Sequence, residues 1–241
     1  MTMTLVATSH GTGVHAAQCA VRALVAAVGE ASPHLDVREA FVDVQRPRVD
    51  TVVDAVGGLA VVVPLLLTPG FHVRIDIQRA ADRPWVAAAR PLGTDKRIIE
   101  LLHRRLVASG ATSDDVVVLG AAGSTDAAAL QSVDTTAQML GAAWGAPIPV
   151  GYLGGKGTPI EELIAAVSRT GRRVVIASHL LAPGYFYDRL LASGADVVSG
   201  PLLSGSTVDP AMVSLVLDRF SEAAQTLDRA AAPQRSHSFS R

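Results

Sequence analysis

Apolar runs and amphipathic stretches alternate along the whole chain. Leu5–Ser9 predicts a short strand, the Ala-rich stretch Val14 to Val28 a helix, Val37–Val42 a strand and Val49–Val56 a helix. Leu59–Leu67 is a strongly apolar strand, a helix follows from about Val73, Val86–Ala89 is a weaker strand, and Lys96–Val107 is a helix with one apolar face. The alternation then starts again. Val116–Leu119, Ile148–Leu153, Arg173–Ala177 and Val197–Val198 read as strands, while Ala127–Leu140, Ile160–Val167, Phe186–Leu191 and Ala211–Thr226 read as helices. Strand–helix alternation of this kind predicts an α/β fold, with parallel strands covered by helices on both faces.

The second round repeats the first. Ala60-Val61-Val62-Val63-Pro64-Leu65-Leu66-Leu67-Thr68-Pro69-Gly70-Phe71 aligns without gaps on Val174-Val175-Ile176-Ala177-Ser178-His179-Leu180-Leu181-Ala182-Pro183-Gly184-Tyr185. Ser9-His10-Gly11-Thr12 aligns on Ala121-Ala122-Gly123-Ser124, Pro91-Leu92 on Pro201-Leu202, and Phe41…Pro47 less closely on Tyr152…Pro159. A duplicated unit predicts two similar parallel-sheet lobes with a cleft between them. The expected division is a lobe over 1–110, a second over 114–228 and a flexible tail over 229–241, joined where Gly, Ser and Thr cluster near Ser109–Ser113.

Composition narrows the classes. The net charge is −1, without the basic excess of a nucleic-acid binder. Only 4% of residues are aromatic, so the core must be aliphatic. The single Cys19 excludes a disulfide framework within the chain, and its apolar helical setting predicts a buried thiol. The first residues lack a basic region, and Leu59–Leu67 contains Pro64 and is too short to span a bilayer, so a soluble, cytoplasmic protein is expected.

Ligands of open α/β folds bind at the carboxyl ends of the strands. His10, before Gly11 and Thr12, stands at the end of the first strand, and His72 follows Pro69-Gly70 after another strand of the same half. Both loops share one sheet edge, so the two imidazoles can converge. Asp43 closes the second strand on that edge and can add a carboxylate. Two imidazoles and a carboxylate with open positions describe a site that accepts a divalent metal and releases it. At the repeat positions of His10 and His72 the second half carries Ala122 and Phe186, which predicts one working site, in the first half.

Ser9-His10-Gly11-Thr12, Ala40-Phe41-Val42-Asp43…Pro47, the block Pro64 to Val73 with Asp76-Ile77, and Pro91-Leu92-Gly93 resemble the sirohydrochlorin chelatase and anaerobic cobaltochelatase family. The second half resembles a degenerate copy of the same unit. The resemblance implies a class II chelatase that inserts Fe²⁺, Co²⁺ or Ni²⁺ into sirohydrochlorin or a related modified tetrapyrrole, in sirohaem or cobalamin biosynthesis. It implies no cofactor of the enzyme's own; the metal is substrate. His10 and His72 occupy the family's metal-handling positions, and Asp43 stands where the family often has Glu. Gly11, Thr12, Pro69, Gly70 and Arg74 fall where substrate would be held; Arg46, Arg48, Lys156 and Arg189 are further candidates for its carboxylates. Both lobes come from one chain, which implies a monomer.

The loop Gly154-Gly155-Lys156-Gly157-Thr158 lacks the Gly-Lys-Ser/Thr ending of a phosphate loop. Ser9 stands where a histidine phosphatase would need an arginine before His10. A non-catalytic tetrapyrrole or metal carrier would use the same cleft and remains the alternative at this stage.

Overall fold

The computed structural model describes residues 3–68, 70–204 and 207–231, with the backbone alone at 71–73 and 228–231. The first half runs β1 (Thr4–Ser9), α1 (His15–Ala31), β2 (Asp36–Phe41), α2 (Val49–Asp54), β3 (Ala60–Pro64), α3 (Phe71–Ala81), β4 (Val86–Ala88) and α4 (Lys96–Ala108). The second runs β5 (Val116–Ala121), α5 (Ala127–Trp144), β6 (Val150–Tyr152), α6 (Ile160–Ser168), β7 (Val174–His179), α7 (Tyr185–Leu191), β8 (Val197–Val198) and α8 (Pro210–Ala231). Each half builds a four-stranded parallel sheet, in the order β2-β1-β3-β4 and β6-β5-β7-β8, so the strand order is the same in both lobes.

Alternation along the strands explains why both sheets are buried on both faces. Leu5, Ala7, Val61 and Val63 face a large central core, while Val6, Ala60 and Val62 face a smaller one under α2 and α3. In the second lobe Val117, Leu119, Val175 and Ala177 join that same central core, and Val118, Val174 and Ile176 face a third cluster with Ile160, Ile164 and Leu190. Successive side chains of a strand point to opposite faces, so each sheet serves one private core and one common core.

The common core is closed by an exchange of helices. α4, from the first half, packs against α5 and β7 of the second lobe. α8, from the end of the second half, packs against α1, β3 and β4 of the first. The last helix of each half therefore lies on the other half's sheet. α4 is suited to this, with Asp95 capping its first turn and Ile98, Ile99, Leu101, Leu102 and Leu106 buried.

Three expectations need correction. Phe41 bridges to Arg48 and Tyr152 to Pro159, so the two equivalent loops align with Pro47 and Pro159 one position apart. The final helix continues to Ala231, past the predicted start of the tail at 229; positions 232–241 lie outside the described residues. Cys19 is exposed rather than buried. Its helix buries Ala17, Val21, Leu24 and Val28, and a residue two positions after Ala17 points to the far side. Among the described residues no helix is long and apolar enough to cross a membrane.

Candidate active site

The loops after β1, β3, β5 and β7 meet between the lobes. One cavity of about 340 Å³ lies between Ser9–Thr12, α1 and the Leu180–Tyr187 segment. A second, of about 290 Å³, lies between Leu65–Thr68, Ala121–Ser124, α5 and His179. His10, Leu65, Leu66, Leu180, Leu181 and Phe186 line both, so they form one continuous cleft. Its walls are mainly aliphatic. Val14, Tyr185 and Phe186 are large apolar residues left exposed, and Phe186 lines the cleft beside Tyr185, ring edge to ring face at 5.5 Å.

His10 sits at the carboxyl end of β1, exposed to the cleft, with Nδ1 3.3 Å from the Gly11 carbonyl oxygen. The backbone around it is closely held. Val42 and Asp43 donate their N–H groups to the Ser9 and His10 carbonyls, each at 2.9 Å. The Thr12 N–H donates to Gln45 Oε1 at 2.9 Å, and Gln18 Nε2 donates to the Thr12 carbonyl at 2.7 Å. Gly11 has φ +90°, and a Cβ there would stand 2.5 Å from the Asp43 carbonyl oxygen. Only glycine fits that close approach, which holds the His10 loop on the rim. Val44 takes φ +51°, an unfavourable conformation for a β-branched residue, in the turn that brings Gln45 onto Thr12.

The other sequence candidates divide. His72 lies in the first turn of α3, on the same strand-end edge as His10, and its side chain is outside the described residues, as is Pro69. Gly70 precedes α3 as its cap. Gly11 and Thr12 line the cleft. Asp43 is tied to His10 through its backbone, but its side chain is 69% exposed, faces Arg48 at 3.9 Å and lines neither cavity. Arg74 lines an adjoining groove with Arg90, Thr94 and Ser132, and pairs across the lobes with Asp126 at 3.8 Å. Arg189 is committed within the second lobe to the Leu153 carbonyl and to Glu161. Among the described residues lining the two cavities none is Arg or Lys, and no three His, Cys, Asp or Glu side chains gather as a metal-holding group.

Glu39 and His179 also line the cleft, outside the residues that the sequence marks as the site. Glu39 on β2 lines the first cavity, and burial pushes its carboxyl above the usual range against the opposing pull of Arg22, 3.7 Å away. Strand alternation marks Glu39 as sharing a face with Phe41, but not that α1 and the second lobe would enclose it. His179 ends β7, is 4% exposed and lines the second cavity; burial lowers its pKa to about 4. Tyr152 in the same cavity donates to Asp134 at 3.3 Å.

Gly93 fixes the β3 loop on the cleft. The Leu92 N–H donates to the Leu66 carbonyl at 2.9 Å, and a Cβ at Gly93 would fall 2.0 Å from the Leu67 carbonyl oxygen. Gly93→Ala should displace the Leu67–Thr68 wall and cost roughly 1–3 kcal/mol. Thermal denaturation checks this, since about 2–4 °C is lost per kcal/mol in a chain of this size; an unchanged melting temperature would show that the loop yields freely.

This arrangement defines a class: two-lobed α/β proteins with a strand-end cleft, the fold of the sirohydrochlorin chelatases. SirB from Bacillus subtilis with Fe³⁺ superposes with a TM-score of 0.79 at 21% identity, over 94% of this chain and 97% of SirB. SirB from Bacillus subtilis subspecies spizizenii in complex with cobalt gives 0.74 at 19% identity, over 94% and 97%. CbiX, described as the terminal enzyme for biosynthesis of siroheme in denitrifying bacteria, gives 0.64 at 18% identity, over 89% and 98%. No curated protein matches the chain in sequence. Residues 4–109 match the model of the CbiX family.

Proposed function

We propose that this protein is a chelatase that inserts a divalent metal, Fe²⁺ or Co²⁺, into sirohydrochlorin or a closely related modified tetrapyrrole. The observation that carries this reading is the placement of His10, the strand-end imidazole of the segment that matches the CbiX family, on the rim of an apolar cleft between two chelatase-type lobes. Aliphatic walls and the exposed Tyr185–Phe186 pair suit the face of a flat macrocycle. Metal insertion exchanges one divalent ion for two pyrrole protons. An imidazole can hold the ion, and a second can accept a proton as the ring nitrogens bind it. His10 and His72 are assigned these tasks, with Asp43 beside them through the His10 backbone. Gly11, Thr12 and Gly70 shape the loops against the ring, and Arg74 in the adjoining groove is the candidate partner of a ring carboxylate. Both walls of the cleft come from one chain, which supports action as a monomer.

The test follows the visible spectrum of sirohydrochlorin with Co²⁺ or Fe²⁺, with and without the protein. Protein-dependent conversion supports the proposal; ring binding without turnover would make the protein a carrier. Co²⁺ titration should give one ion per chain, lost in His10→Ala. A second ion near Phe186 would contradict the assignment of a single working half.

A further inference from the structure

We infer that His179 is a substrate-binding residue contributed by the second lobe, accepting a hydrogen bond from a pyrrole N–H of the metal-free macrocycle held in the cleft. The inference rests on the chelatase reading above and adds a contact that the first lobe does not make.

Three observations carry it. His179 is the last residue of β7, in register with Ala121 of β5, and lines the inner cavity together with His10. Its Nε2 is buried with no hydrogen-bond partner. Buried polar atoms in native proteins are almost always partnered, so an orphaned one on a residue that lines a cavity calls for a ligand. The duplication supplies the third. The repeat position in the first lobe is Leu65, which is 1% exposed and fills its place by packing alone. The second half lost the imidazoles that would match His10 and His72, yet gained one where the first half keeps leucine.

The chemistry selects the ligand atom. Burial lowers the imidazole pKa to about 4, so near neutrality the ring is uncharged. It carries one N–H and one free lone pair. It offers no charge to a carboxylate, but its lone pair can receive an N–H. A metal-free tetrapyrrole presents such N–H groups at its centre, and the metallated product has none. His179 therefore favours substrate over product, and the contact disappears as the metal enters.

The experiment titrates wild type, His179→Leu and His179→Gln with metal-free sirohydrochlorin and with its cobalt complex, reading fluorescence or absorbance, alongside melting curves. His179→Leu should bind the metal-free ring roughly tenfold more weakly and the cobalt complex as before. His179→Gln, which keeps an acceptor, should stay within about threefold of wild type for both. Without ligand, His179→Leu should melt at or a few degrees above wild type, because it removes an unsatisfied buried nitrogen (about 2–4 °C per kcal/mol). Equal affinity of wild type and His179→Leu for the metal-free ring overturns the inference. So does an equal loss for both rings with a lowered melting temperature, which marks a packing role. Should His179→Leu not fold, wild type alone decides: a preference for the metal-free ring supports the inference, and equal affinities overturn it. If wild type binds neither ring, the chelatase reading itself falls, and this contact with it.

Discussion

His10→Ala is expected to slow metal insertion by roughly 10²–10⁴-fold, the range for loss of one acid–base or ligating group. The melting temperature should stay within about 2 °C of wild type. The His10 side chain is exposed, and its closest polar contact is a weak one to the Gly11 carbonyl. Exposed substitutions of this kind change stability by about 0.5 kcal/mol or less. The loop itself is held by backbone bonds from Val42 and Asp43 and by Gln18 and Gln45, none of which involves the imidazole. His72→Ala should lose a similar share of activity from the opposite loop of the same edge. Asp43→Ala should lose less, since its carboxylate is mostly solvated and faces Arg48. Initial rates of cobalt insertion and melting curves on the three variants decide. A His10→Ala protein that melts normally and metallates at the wild-type rate would move the reaction away from this site.

The second large effect concerns the joint between lobes. Arg219 of α8 is 1% exposed and donates to the carbonyls of Pro91 and Leu92 and to Asp95 Oδ2 at 3.1 Å. Asp95 also caps α4 and pairs with Arg97. Asp95→Ala leaves the buried Arg219 cation with only the half-exposed Glu222 carboxylate, 3.6 Å away, and removing one partner of a buried pair costs about 3–5 kcal/mol. A melting temperature lowered by roughly 10 °C is expected. Asp95→Leu combined with Arg219→Met should recover part of the loss, because an apolar pair carries no desolvation penalty, while the α4 cap and the Arg97 pair stay lost. The Asp95 carboxyl is held well below its usual range, chiefly by the hydrogen bond from Arg97, which outweighs the opposing effect of burial. Its folded-state pKa lies below the unfolded one, so its stabilisation is complete above about pH 4 and is lost as pH falls through the lowered value. The gap between wild type and Asp95→Ala should accordingly narrow in strong acid and stay constant from pH 5 to 8. A gap of less than about 1 kcal/mol at neutral pH would show that the joint does not depend on this pair.

Much of the architecture was legible because it is written in periodicities. The apolar run from Ala60 to Pro64 and its gap-free copy at Val174 to Ser178 determine two equivalent central strands, and the turn residues between elements separate strand from helix. Ser9-His10-Gly11 and the Pro69-Gly70-Phe71-His72 block mark the strand-end loops, and at Gly11 the positive φ and the close Asp43 carbonyl demand glycine. Small errors came from the same source. Residue type matches Pro47 with Pro159, whereas the bridges Phe41–Arg48 and Tyr152–Pro159 make Arg48 the equivalent of Pro159. The apolar neighbours of Cys19 suggest a buried thiol, whereas the spacing of Ala17, Val21 and Leu24 turns it outward.

What only the tertiary structure decided is which surface covers which. Periodicity shows that a strand or helix has an apolar face, but not which partner will bury it. The hydrophobic effect is non-directional, and any sufficiently apolar face can serve. That α4 covers the second sheet and α8 the first, fusing two private cores through a common one, could not be read from the order of elements. The enclosure of Glu39 by α1 and the second lobe, the burial of His179 without a partner, and the diversion of the Asp43 side chain toward Arg48 have the same origin. Each depends on contacts between positions far apart in the chain, and distance in space there is set by packing rather than by spacing in sequence.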